Sequence, residues 1–85
     1  MEIRYSLKAQ NDIDFWKRSG NMKVMNKITL LLESIENTPS EGIGKPEQLK
    51  HELTGLWSRR INSEHRIVYE VKNLCILVHS LRGHY

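Results

Sequence analysis

Eighty-five residues hold one domain, 1–85, and a chain this short buries only a modest fraction of its surface. Hydrophobic residues are 39% of it and the net charge is +3, which excludes a histone-like basic tail and leaves a mild bias toward anionic partners. No stretch approaches the roughly 20 apolar residues of a membrane span, and the opening MEIRYSLKAQ lacks a signal-peptide apolar region, so the expectation is a soluble cytoplasmic protein.

Glu2 to Leu7 alternates, with Ile3, Tyr5 and Leu7 on one side, and reads as a first strand. Lys8 to about Ser19 has helical character, with Ile13 and Trp16 three apart. Gly20 ends that helix and Asn21 caps the next. Met22 to Asn37 carries Val24, Met25, Ile28, Leu31, Leu32 and Ile35 at three- and four-residue steps, one apolar stripe for packing on a sheet. Thr38-Pro39 stops it, because the residue before proline disfavours helical angles.

Ser40 to Pro46 is a loop whose two glycines, Gly42 and Gly44, are too close together for a dinucleotide fingerprint. Glu47 to Leu53 is expected to enter the sheet as an extended segment or short strand. Gly55 to Val71 reads as a hairpin. Leu56–Ile61 and Arg66–Val71 form its strands, and Asn62-Ser63-Glu64-His65 turns between them. Three arginines and a histidine fall within its residues 59–66, so one face must meet water or a polyanion. Lys72-Asn73 turns tightly into Leu74–Val78, an apolar run suited to a strand buried on both faces, and Gly83 is placed to kink or bulge the chain end. Cys75 lies inside that run, can form no disulfide within the chain, and reads as a core thiol. The order strand, helix, helix, strands predicts an α+β domain, two N-terminal helices on one face of a mostly antiparallel twisted sheet.

GLWSRRINSEHRIVYEV, with the upstream GKPEQLKHEL and the final His84-Tyr85, resembles the YoeB/Txe family of bacterial toxins in the RelE/ParE superfamily, and does so essentially end to end. The resemblance implies a compact RelE-like fold and a ribosome-dependent endoribonuclease that cuts mRNA in the ribosomal A site without a metal or cofactor. It also implies a small YefM/Axe-type antitoxin, operator DNA bound only through the antitoxin complex, and a homodimer.

Metal-free RNA cleavage needs a base for the 2′-OH, an acid for the leaving 5′-oxygen and cations for the charge on phosphate. Glu47, in the family's PE…LKH block, is the candidate base, and Lys50 and His51 are the RNA-binding candidates of the same segment. Arg66 is the candidate for transition-state charge, since a guanidinium fork matches phosphate oxygens. Only one of Arg59 and Arg60 can share its face. A four-residue turn pairs Ile61 with Arg66 and favours Arg59, a slip of one favours Arg60, and the resemblance leans to Arg60. Glu64 and His65 either serve the turn or orient these arginines. By resemblance His84 is the general acid and Tyr85 helps position the RNA, whereas His79 is structural; Gly83 departs from the larger residue the family often has there. The histidines and the cysteine lack metal-ligand spacing. The rival expectation is a non-nucleolytic toxin that inhibits a target such as gyrase by binding.

Overall fold

The computed structural model describes residues 1–83, so His84 and Tyr85 lie outside the described residues. The apolar stripe of Met22–Asn37 forms the helix its spacing demands, here α2, with Val24, Ile28, Leu31 and Ile35 buried. The Asn21 side chain caps it by accepting from the Val24 amide. α1 spans Leu7–Ser19 and ends at Gly20, φ 71. The first strand, β1, covers Glu2–Tyr5 and is shorter than its alternation suggests. Ser6 takes the N-cap of α1 instead, its Oγ accepting from the Ala9 amide at 3.1 Å, so Leu7 begins the helix and is exposed.

The remaining elements are β2 Glu47–Gln48, a single 3₁₀ turn His51–Leu53, β3 Leu56–Arg60, β4 Arg66–Lys72 and β5 Cys75–Ser80. They form one five-stranded sheet in the order β1-β5-β4-β3-β2, in which only the β1–β5 pairing is parallel. The expected α+β architecture is therefore the one observed, with both helices on one face of the sheet. Ile67, Tyr69, Ile76 and Val78 face the helices and join Trp16, Ile28, Leu31 and Ile35 in the core. Among the described residues no helix is long and apolar enough to cross a membrane.

Two local expectations are corrected. Leu74 sits in the β4–β5 turn, 83% exposed, and only Ile76 and Val78 of β5 are fully buried, so that strand is covered on one face rather than two. The sheet irregularity lies between Val68 and Tyr69, not at Gly83, which falls beyond the end of β5 with φ 88.

Candidate active site

Strand register decides which side chains meet. Directly opposed residues in a ladder share a face, with Cβ atoms roughly 5 Å apart. β2 sets Glu47 opposite Ser58, β3 sets Ser58 opposite Val68 and Arg60 opposite Arg66, and β4 sets Val68 opposite Ser80. These residues alternate with the core-facing Trp57, Ile67 and Tyr69, so they occupy the face away from the helices. Glu47, Arg60 and Arg66 thus come to one face of the sheet. Two strand spacings separate β2 from β4, about 10 Å, a gap that long side chains can close around a phosphate. Arg60 and Glu47 are exposed and Arg66 half-buried. Lys50 and His51 are exposed beyond the end of β2, where Leu49 makes the last β3 contact (N to Leu56 O, 2.9 Å) and His51 takes φ 60.

The choice between the two adjacent arginines falls to Arg60, and the reason lies in the turn. Ile61 leaves the ladder and packs in the core, while its amide and that of Asn62 both donate to His65 O. The connection therefore has five residues, which brings Arg60 rather than Ile61 opposite Arg66. Arg59 corrects its RNA-binding expectation: it is 0% exposed on the helix side. Its Nε donates to Tyr69 Oη, one terminal nitrogen to Ser34 Oγ and Ile43 O, and the other to Thr38 O and Glu41 O. All five of its N–H donors are used, and none is left for a phosphate.

Arg59 nevertheless shapes the site. It gathers three carbonyls of residues 38–43 about one charge, and Tyr69 Oη donates to Pro39 O at 2.5 Å. Arg60 N bonds Gly44 O at 2.7 Å, and Gly44 must be glycine, since a Cβ there would lie 2.5 Å from Leu31 Cδ2 and its φ is +82. The loop so fixed runs through Lys45 and Pro46 directly into Glu47. Burial pushes the Tyr69 phenol above its ordinary pKa, with the hydrogen bond and charge of Arg59 opposing.

Residues 5–85 match the YoeB-like toxin family of bacterial type II toxin–antitoxin systems. Toxin YoeB of Synechocystis is 44% identical over 85 residues, covering 100% of this chain and 98% of its own. The chain belongs to the YoeB-like toxins. Its fold superposes on a YoeB/ParE toxin from Agrobacterium tumefaciens with a TM-score of 0.95 at 39% identity, each chain covered fully. It superposes at 0.89 on the Staphylococcus aureus YoeB solved as a dimer (44% identity) and in a YoeB-YefM complex (45%), covering 100% of this chain and 98% of those.

In this YoeB-like toxin residues 81–83 are anchored by side chains that sequence reasoning assigned elsewhere or passed over. Asp12, 5% exposed and paired with Lys8 at 2.7 Å, accepts from the Leu81 amide at 2.9 Å. Trp16 Nε1 donates to Leu81 O at 2.9 Å, and the Arg82 guanidinium lies 3.6 Å over the Phe15 ring. His65 packs edge-on against Trp16, and its Nδ1 accepts from Gly83 N at 2.9 Å. The Arg66 amide then donates to Gly83 O at 3.2 Å. His65 is thus an anchor for residues 81–83 more than a turn residue, and the chain leaves the described region beside Arg66. An aspartate and a tryptophan four residues apart on α1 were the only trace of this in the sequence, and the burial of Asp12 is seen only in the fold. Ser58 was also missed. It is fully buried between Glu47 and Val68, and among the described residues its Oγ has no partner. His79 bonds Glu70 Oε1 at 3.1 Å.

Proposed function

We propose that this toxin is a ribosome-dependent mRNA endoribonuclease that cuts in the A site and so blocks translation. Glu47 takes the proton from the 2′-OH, and the 2′-oxygen attacks the adjacent phosphorus. Arg66 and Arg60 stabilise the charge that builds on the phosphoryl oxygens. His84 protonates the departing 5′-oxygen, leaving a 2′,3′-cyclic phosphate and a 5′-hydroxyl, and Tyr85 holds the RNA in place. Lys50 and His51 steady the strand at the sheet edge. No metal enters the scheme.

The reading is carried by one observation: the register sets a carboxylate and two guanidiniums on the same open face, and the segment leading to His84-Tyr85 is fastened at Arg66. A toxin that only binds its target has no need of that convergence. The YefM complex and the dimer of the Staphylococcus aureus relative support a YefM/Axe-type antitoxin and a homodimer for this chain, with operator DNA reached through the antitoxin complex.

The test is mRNA cleavage on programmed ribosomes with 5′ ends mapped, comparing wild type with Glu47→Gln, Arg66→Ala and His84→Gln. Each variant is expected to lose roughly 100-fold or more in rate while its urea midpoint stays near that of wild type. Intact mRNA with wild-type protein, or full activity in all three variants, overturns the proposal.

A further inference from the structure

We propose that the cleft between α2 and the β3–β4 turn holds the sugar–phosphate backbone of the mRNA that flanks the cut, a reading that rests on the nuclease function above. Two hollows of about 440 Å³ each adjoin there and share Lys27, Ile61 and Asn62 as walls. Lys23 lines one, Lys45 and Arg60 the other. Lys23 and Lys27 stand one helical turn apart, about 5–6 Å along α2. No Asp or Glu lines either hollow.

The cations of this cleft differ from three others on the surface, while among the described residues Lys17, Arg18 and Lys50 are likewise without a carboxylate partner but line neither hollow. Lys8 pairs with Asp12, Arg4 with Glu2 and Lys72 with Glu70. Among the described residues Lys23, Lys27, Lys45 and Arg60 have no carboxylate within 4.0 Å. The first turn of α2 also lacks an acidic residue, so the positive end of its dipole adds to the same field. Four uncompensated cations in one concavity favour a polyanion.

Position selects RNA among polyanions. Arg60 belongs both to the cleft and to the open sheet face, where it stands opposite Arg66. Lys45 is two residues before Glu47 and is held at φ 53 by the loop that Arg59 and Arg60 fix. The cleft is therefore continuous with the cleavage face, and a strand cut at Glu47 passes into it. No aromatic side chain lines it, so bases are not stacked there and the contact is to backbone, indifferent to sequence.

The experiment titrates the toxin against a fluorescent single-stranded RNA carrying 2′-O-methyl groups throughout, which has no nucleophile and cannot be cut. Binding is followed by anisotropy across a salt series for wild type, for Lys23→Gln/Lys27→Gln, and for Lys72→Gln as a distant control. The double variant is expected to lower the slope of log affinity against log salt by about 1.4, or about 0.7 per charge removed from a single-strand contact, and the control to leave it unchanged. An unchanged slope in the folded double variant overturns the cleft. So does a double variant that loses only affinity for the antitoxin, which assigns the cleft to an acidic protein segment.

On ribosomes the double variant should need more toxin for half-maximal cleavage at the same limiting rate, and trimming the mRNA flank that enters the cleft should erase the difference. A difference that survives trimming of either flank assigns the cleft to ribosomal RNA and overturns the proposal. Wild type that never cuts, with the slope change intact, defeats the nuclease reading but not the RNA contact; normal cutting with no slope change does the reverse.

Discussion

Arg59 and Arg60 are neighbours on β3, yet the first is completely buried and the second exposed. Alternation sends them to opposite faces of the sheet, and the two faces use the same guanidinium differently. On the helix side the charge is spent on carbonyls and hydroxyls, and it works as a clamp on residues 38–43. On the open side Arg60 stands opposite Arg66 and has no carboxylate within 4.0 Å among the described residues. The contrast teaches that residue type alone does not mark a binding arginine. What marks it is whether its donors are already used.

The largest expected effect breaks the clamp. Arg59→Ala strands five buried or half-buried acceptors at once and should cost on the order of 4 kcal/mol, read as a fall in the urea midpoint, whereas Arg60→Ala should move stability by no more than about 0.5 kcal/mol. Equal losses would end the comparison. Next comes Gly44→Ala, which meets Leu31 and requires a left-handed backbone; about 2–3 kcal/mol is expected from the clash and strain together, seen in the thermal midpoint. Gly83→Ala separates those causes, because an added Cβ there meets nothing within 4 Å and only φ +88 resists it. It should cost about 1 kcal/mol at most but lower mRNA cleavage, since the strain falls on the segment beside Arg66. Asn21→Ala removes the α2 cap for about 1 kcal/mol. The smallest effect is a pH dependence. The Tyr69 phenol is raised in the folded state, so its contribution is full below the ordinary tyrosine pKa near 10 and is lost as pH climbs through the folded value. Wild type should therefore lose stability more steeply above about pH 10 than Tyr69→Phe, measured by urea unfolding at stepped pH.

Much of the covered face was legible because its signals are local. The α2 stripe, the Gly20 stop, the Asn21 cap and the presence of a hairpin over residues 55–71, though not its register, all follow from periods and caps within a few residues. The open face was legible only as a set of residue types. Whether Arg59 or Arg60 joined Arg66 hinged on Ile61, whose apolar side chain gains more by entering the core than by staying in the ladder. Nothing in the hairpin sequence states that preference. The anchoring of residues 81–83 by Asp12, Trp16 and His65 spans 18 to 69 positions and leaves no periodic trace.

The parallel pairing of β1 with β5 has a consequence for how the chain comes into being. Glu2 is matched with Cys75 and Tyr5 with Val78, and Ser6 Oγ donates to His79 O across 73 residues. The first strand synthesised is therefore the last to find its neighbour, because every intervening element must exist before it has one. Closing so long a loop is slow and adds nothing until its end. During translation the nascent N-terminus stays unpaired, and residues 81–83, which Asp12, Trp16 and His65 hold beside the open face, are made after β5.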